Sequence, residues 1–272
     1  MRFLKKLLDF YINSSIHVAL SSSSMVIMSQ YMFHLPIDYI VIFFTFFGTI
    51  VGYNFVKYDA LARIQKIEMK NQLKAIVFLS FLSFLTCGYL FFKLQFKTQL
   101  YSVLVLFITL LYTLSFFPNK KNARNWVGVK IYIVALCWVG VTLFLPIINA
   151  GIPITTDFYL KCIQRFILVF VLILIFEIID LANDDPHLQT VPQKIGVKRT
   201  KILGLLLLVP FYFLEFLKSN FDSNQLIVNF ILVIMLSMLI AFANQNRSKY
   251  YTSFWVESIP IVWWVFIYIT IQ

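Results

Sequence analysis

Long apolar stretches alternate with short polar stretches along nearly the whole chain. Runs of about 18 or more apolar residues are typical of helices that cross a bilayer. The pattern therefore predicts nine membrane-spanning helices. They lie at residues 14–33, 37–56, 74–92, 100–117, 127–148, 159–181, 202–217, 226–243 and 254–271.

The composition supports this interpretation and excludes an ordinary soluble domain. Of the 272 residues, 60% are hydrophobic and only 13% are charged, and the mean hydropathy is +0.83. No long linker, repeat or soluble segment interrupts the pattern. The sequence predicts an all-α polytopic bundle of about nine transmembrane helices that forms one integral membrane domain over residues 1–272. The serines of the first span, including Ser21 to Ser24, predict a helix buried inside the bundle, because small residues allow helices to approach closely.

The basic residues predict the orientation of the spans. A net charge of +11 would be compatible with nucleic acid, but these residues lie between spans and form neither a tail nor one amphipathic face. Of the 23 lysines and arginines, 18 fall on one side of the nine alternating spans. Cytoplasmic loops carry such an excess. We expect a cytoplasmic amino terminus, a bacterial inner membrane as the location, the lipid bilayer as a partner, and no nucleic acid.

Carboxylates at the end of the sixth span are the strongest candidate for chemistry. Glu177, Asp180 and Asp184 are spaced i, i+3, i+7, so a continuous helix would place them on one face. A charged side chain at membrane depth costs about 2.5–3.5 kcal/mol on insertion scales, so such residues are usually functional or paired. Three like charges on one face predict a bound hard divalent cation. A solvated cytoplasmic loop is the structural alternative.

The stretch from Glu177 to Gly196 resembles the second signature of the UbiA-type intramembrane prenyltransferases. That family has a D-x-x-D-x-x-x-D run on its sixth helix, followed by a T-L-P-x-x-L-G loop. Here EIIDLAND, with Glu177 in place of the leading aspartate, is similar to the run, and TVPQKIG, from Thr190 to Gly196, is similar to the loop. The segment YTLSFFPNKK is similar to the family's tyrosine, proline and lysine segment after the fourth helix, through Tyr112 and Lys120 among others.

The first signature of the family is changed in this chain. The family has N-D-x-x-D-x-x-x-D at the end of its second helix, whereas this chain keeps Asn54 and places Phe55, Tyr58 and Ala62 at the aspartate positions. Asp59 is one residue out of register, which turns a helical side chain by about 100°. Enzymes of this family hold Mg²⁺ ions between the two aspartate-rich helices. The resemblance therefore implies either that one Mg²⁺ is lost here or that the cations of this loop take over its electrostatic task.

The resemblance implies an enzyme that transfers a prenyl group from an allylic prenyl diphosphate to a hydrophobic acceptor, such as an aromatic ring, a quinone precursor or a lipid. It implies Mg²⁺ as the cofactor. Glu177, Asp180 and Asp184 would be the catalytic residues and metal ligands. The residues expected to bind substrate are Asn54, Lys57, Asp59, Arg63, Tyr112, Lys120 and Lys194.

Two non-enzymatic alternatives remain open from the sequence. A catalytically degenerate UbiA-like protein with a binding role is consistent with the changed first signature. A small transporter agrees less well, because glycine and proline number only eight each and the charges cluster at one surface.

Overall fold

Helices account for all the regular structure in the part of the chain that the structure describes. This computed structural model describes residues 2–64, 71–113, 128–219 and 222–271. The α-helices are α1 (Arg2–Asn13), α2 (Ile16–Met32), α3 (Tyr39–Ile64), α4 (Asn71–Phe91), α5 (Phe96–Thr113), α6 (Lys130–Val139), α7 (Leu145–Ala150), α8 (Thr156–Asp180), α9 (Val191–Phe213), α10 (Ser223–Phe242) and α11 (Ile259–Ile271). Short π-helical segments, Gly140–Phe144 and Tyr251–Val256, precede α7 and α11, and 3₁₀ turns occupy Pro186–Leu188 and Leu214–Leu217.

Each of the nine predicted spans overlaps a helical segment of the described residues. Within the described ranges, seven segments are long and apolar enough to cross a membrane: Tyr39–Tyr58, Gln72–Phe91, Lys130–Ala150, Thr156–Asp180, Val191–Leu217, Ser223–Phe242 and Tyr251–Thr270. The other two, α2 and the apolar part of α5, are shorter. The seventh span begins at Val191 and not at residue 202, because Pro192 occupies the first turn of α9 and the Gln193 side chain accepts a hydrogen bond from Thr190 N–H.

The described contacts divide the chain into two units. The first comprises residues 1–106 and 141–151, and the second comprises residues 107–140 and 152–272. In the first unit, α2 packs against α3 and α7, and α3 packs against α4. Its apolar core contains Val26, Val41, Ile42, Leu94 and Leu145.

The polar helix α2 lies inside the first unit, which confirms the expectation of a buried serine-rich span. Ser21 to Ser24 are all buried. The Ser22 hydroxyl hydrogen-bonds Thr49 of α3 over 2.8 Å, and the Ser29 hydroxyl donates to the Thr142 carbonyl over 2.7 Å. These two bonds satisfy the Ser22 and Ser29 hydroxyls where water is excluded, and they join α2 to α3 and to the segment that contains Thr142.

The second unit is arranged around α8, which packs against α6, α9 and α10. Ile131 of α6 and Phe170 and Leu174 of α8 form one apolar cluster, which the side chains of α9 extend. Gly204 of α9 meets Ile240 of α10 so closely that an added Cβ would collide with the Ile240 side chain. Glycine at this position therefore permits the close packing of α9 on α10.

A buried ionic cluster joins three segments of the second unit. Glu215, in the 3₁₀ turn after α9, is fully buried and accepts hydrogen bonds from Lys161 at 2.7 Å and Lys218 at 2.8 Å. Gln164 of α8 and Asn229 of α10 donate to the same carboxylate, each at 3.1 Å. The cluster lies beside the first half of α8. A helical rise of 1.5 Å per residue places its Lys161 about 24 Å along the helix axis from Glu177.

Candidate functional site

The carboxylates predicted from the sequence lie where α8 ends and the chain turns toward α9. Glu177 is buried, whereas Asp180, the last residue of α8, is exposed. The backbone N–H groups of Asn183 and Asp184 both donate to the Asp180 carbonyl, at 2.8 and 2.9 Å. This turn keeps Asp184 next to the helix end although α8 itself has stopped. The Oδ2 atom of Asp184 is inaccessible to solvent and has no hydrogen-bond partner among the described atoms.

Glu177 is engaged with the start of α9. Its Oε2 atom accepts a hydrogen bond from the Val191 N–H over 3.0 Å. The first N–H groups of a helix have no intrahelical partner, so this carboxylate serves as an acceptor for one of them and gains from the positive end of the helix dipole. Glu177 thereby closes the loop between α8 and α9.

The loop between α8 and α9 is held by further hydrogen bonds. Asp185 accepts from His187 N–H with its side chain and from the Gln193 side chain with its carbonyl, at 2.9 and 3.2 Å. Gly128 N–H donates to the Leu188 carbonyl over 3.3 Å. The predicted TVPQKIG stretch thus forms the start of α9. The helix is interrupted at Gly196, whose φ is 81° and whose ψ is 157°. Few residues other than glycine adopt this backbone conformation.

Two lysines bring positive charge to the carboxylates and the loop. Lys130, the first residue of α6, lies within electrostatic range of Glu177 and Asp180, and Asp184 lies within range of both as well. Lys194 is exposed in the first turn of α9, and a Cβ added to Gly128 would be 3.6 Å from its Nζ atom. The structure therefore brings Lys130 into the range of Glu177, Asp180 and Asp184, and it places Lys194 beside Gly128 in the same unit.

Lys130 was not among the residues selected from the sequence. It is separated from Glu177 by more than 40 residues, and it resembles any basic residue that flanks a span. The available signal was its position at the start of an apolar run on the same predicted side as the carboxylates.

The fit of a divalent cation can be tested against this geometry. Among the described residues, no three His, Cys, Asp or Glu side chains come close enough to form a metal-binding group. Glu177 already accepts the Val191 N–H, whereas Asp184 has an unpartnered buried oxygen beside Asp180. The carboxylate pair of Asp180 and Asp184 fits an oxygen-liganded cation, and diphosphate oxygens or water would complete its shell. The role of Glu177 as a third ligand stays a prediction from the sequence.

The residues predicted from the first signature are partly described. Asn54 of α3 is buried, and its amide bonds the Ser15 hydroxyl at 2.8 Å, the Ser14 carbonyl at 3.1 Å and the Ser80 hydroxyl at 2.8 Å. Lys57 donates to the Ser15 hydroxyl over 3.1 Å. These bonds hold the turn between α1 and α2, where Ser15 has a φ of 63°. Both residues belong to the first unit.

The other predicted substrate-binding residues have side chains outside the part of the chain that the structure describes. Lys120 lies outside the described residues. The backbones of Asp59, Arg63 and Tyr112 belong to α3 and α5, but their side chains also lie outside what the structure describes. Their assignment as substrate-binding residues stays a prediction.

Comparison with known proteins links this architecture to one group of structures. No protein-family model and no curated protein matches the chain. The apo structure of a UbiA homologue from Aeropyrum pernix K1 matches at 14% identity and a TM-score of 0.68, covering 94% of this chain and 99% of that one. A UbiA homologue from Archaeoglobus fulgidus, bound to GPP and Mg²⁺, matches at 10% identity and a TM-score of 0.58, covering 100% and 99%.

A structure of digeranylgeranylglyceryl phosphate synthase in membranes matches at 15% identity and a TM-score of 0.57, covering 99% of this chain and 97% of that one. Identities this low establish the fold and not the activity. The chain is an integral membrane protein with the fold of the UbiA homologues, and the resemblance inferred from the second signature is confirmed at the level of the fold.

Proposed function

We propose that this protein is a UbiA-like prenyltransferase, which moves a prenyl group from an allylic prenyl diphosphate to a hydrophobic acceptor. The observation that carries the proposal is the pair of neighbouring carboxylates, Asp180 and Asp184, at the end of α8, with Lys130 within electrostatic range, in a UbiA-type fold. The structural neighbour bound to GPP and Mg²⁺ supports a prenyl diphosphate as the donor. An aromatic ring, a quinone precursor or a lipid is the proposed class of acceptor.

Each described residue of the site has a task in this proposal. Asp180 and Asp184 would hold Mg²⁺, which supplies charge neutralisation for the departing diphosphate. Lys130 and Lys194 add positive charge where negative charge grows in the transition state. Glu177 positions the loop through Val191 N–H, and the apolar helices keep water away from the allylic cation.

The other predicted residues keep their proposed roles in substrate binding. They are Asn54, Lys57, Asp59, Arg63, Tyr112 and Lys120. We further propose that the site faces the cytoplasm of a bacterial inner membrane, where soluble diphosphates and Mg²⁺ are available. The excess of basic residues on the amino-terminal side supports this orientation.

Two observations favour a second candidate, a protein that binds prenyl diphosphate without turnover. The first signature has no aspartate in register, and the Asn54 amide is already bonded to three groups within its own unit. A site that has only the carboxylates of the second signature can bind a diphosphate and still stabilise its departure poorly. Catalysis needs interactions that strengthen in the transition state, and binding alone does not.

Radiolabelled prenyl diphosphates separate the two candidates. Purified protein is incubated with GPP or longer diphosphates, with and without Mg²⁺, and both binding and diphosphate release are measured with a panel of hydrophobic acceptors. The enzyme predicts Mg²⁺-dependent release, which Asp180→Asn and Asp184→Asn lower by about 10²–10³-fold. Asp185→Asn is the matched control, since that side chain bonds only the His187 N–H among the described contacts. Binding without diphosphate release supports the second candidate. Absence of both binding and release contradicts both candidates.

A further inference from the structure

Helix α1 is amphipathic and has an apolar face that no part of the described protein covers. On a helical wheel with 100° per residue, Phe3, Leu4, Leu7 and Leu8 fall on one side, and Lys5, with the other polar residues, falls on the opposite side. The exposed fractions of Phe3, Leu4 and Leu7 are 76%, 68% and 57%. Such large apolar side chains need an environment other than water.

The same helix is anchored to the protein at its other end. Ile12 is buried, the Tyr11 hydroxyl bonds His17 Nδ1 over 2.8 Å, and the Asn13 carbonyl accepts from the Tyr58 hydroxyl over 2.9 Å. The left-handed backbone of Ser15 then separates α1 from α2. Exposure is therefore confined to residues 3–8, so the uncovered apolar face belongs to the projecting half of α1.

The length and charge of α1 exclude a place across the bilayer. Its 12 residues extend about 18 Å, whereas the hydrocarbon core is about 30 Å thick. Lys5 and Lys6 are exposed on the polar side, and a lysine in the hydrocarbon is strongly disfavoured.

We propose that α1 lies in the plane of the membrane surface and binds anionic lipid headgroups. Phe3, Leu4 and Leu7 enter the boundary between headgroups and acyl chains, while Lys5 and Lys6 contact lipid phosphates. Helices with a strong apolar face and basic residues opposite it adopt this position. Charge complementarity selects the partner, because a juxtamembrane lysine gains about fivefold in binding from an anionic surface.

This lipid contact would also reach α3. Tyr58 and Asn54 of α3 bond the Asn13–Ser15 turn at the end of α1, and Lys57 bonds Ser15. A lipid-bound α1 therefore holds the end of α3 at a defined depth in the bilayer. The inference does not depend on the proposed transferase activity.

Hydrogen exchange in nanodiscs tests the proposal. Full-length protein is placed, one copy per disc, in phosphatidylcholine alone or mixed with phosphatidylglycerol, and amide exchange over residues 2–13 is followed by mass spectrometry. Phosphatidylglycerol should slow this exchange, and Lys5→Gln and Lys6→Gln should each remove about fivefold of the added protection. Lys97→Gln, at an exposed lysine of α5, is the control and should change nothing.

The apolar contact is tested separately in the same discs. Phe3→Ser with Leu7→Ser should accelerate exchange over residues 2–13 in both lipid mixtures, and Phe92→Ser, at another exposed phenylalanine, should not. Equal exchange of the unaltered protein in the two mixtures would overturn the proposal without reference to any variant. Protection that appears only when two copies share a disc would assign the face to a second copy instead.

Discussion

The Glu177 side chain illustrates how one hydrogen bond can decide the role of a motif residue. Its carboxylate is buried and accepts the Val191 N–H, and it contributes to no three-carboxylate group among the described residues. The role that follows from this bond is to hold the start of α9, which carries Lys194, whereas direct contact with a cation stays a prediction from the sequence. That role requires an acceptor atom and not a negative charge.

Glu177→Gln and Glu177→Ala distinguish these two requirements. Glutamine retains an oxygen for the Val191 N–H, whereas alanine leaves that partly buried donor without its carboxylate partner, at a cost of up to about 1–3 kcal/mol. We expect a lower unfolding temperature in detergent for the alanine variant and only a small change for the glutamine variant. Glutamine should also preserve Mg²⁺-dependent binding of GPP. A glutamine variant that lost this binding as fully as alanine would indicate a metal ligand.

Gly196 is the second residue whose role depends on backbone geometry. Its φ and ψ lie in a region that L residues avoid, although an added Cβ would meet no atom within 4 Å. We expect Gly196→Ala to destabilise the fold by about 1–3 kcal/mol through backbone strain alone. Gly88→Ala is the matched control, because Gly88 is inside α4, also with free space around it, and alanine there should stabilise by about 0.5–1 kcal/mol. Thermal unfolding of both variants measures the difference, and equal shifts would exclude the strain.

Among the elements, α8 combines the candidate site at one end with the buried ionic cluster at the other. The apolar pattern predicted its position within about three residues, and the carboxylates at its carboxyl end were recognisable from their spacing. The ionic cluster was not, because Lys161 and Glu215 are 54 positions apart in sequence and only the packing of α8 on α9 brings them together. Helix α1 was also missed, since its 12 residues were too short to register as a span.

The ionic cluster predicts a strong dependence of stability on Glu215. Removing this carboxylate leaves Lys161 and Lys218 buried without their counter-ion, which typically costs about 3–5 kcal/mol. We expect Glu215→Ala to lower the unfolding temperature sharply, whereas Lys201→Ala, at a lysine that bonds the Ala241 carbonyl near the exposed end of α10, should have little effect.

A compensating variant tests the explanation of that loss. Replacing Lys161 by Met, Glu215 by Leu and Lys218 by Met removes the charges together and should recover most of the stability, since apolar groups of similar size can replace a buried ion pair. Failure of the triple variant to recover would indicate that the hydrogen bonds from Gln164 and Asn229, and not the charges, hold these segments together.

At the scale of the whole molecule, the fold is retained at 10–15% identity to the matching structures. Apolar periodicity specifies such a bundle, because many apolar residues can fill the same helix interfaces. The second signature, about 20 residues long, was therefore sufficient to suggest the fold of all 272. The chemistry does not follow in the same way, since Asn54 matches its motif position by residue type while its amide bonds neighbouring serines.

Ligand-induced stabilisation connects the fold to the proposed chemistry without depending on turnover. A ligand that binds only the folded protein stabilises it by about 2.7 kcal/mol at 100 times its dissociation constant. We expect GPP with Mg²⁺ to raise the unfolding temperature in detergent, and GPP with a chelator to raise it less. Asp180→Asn combined with Asp184→Asn should abolish the Mg²⁺-dependent part, and Asp185→Asn should retain it. A Mg²⁺-dependent shift that survives the double substitution would place the diphosphate away from the end of α8. If GPP shifted the unfolding temperature of none of these proteins, prenyl diphosphate binding by this UbiA-type fold would be contradicted.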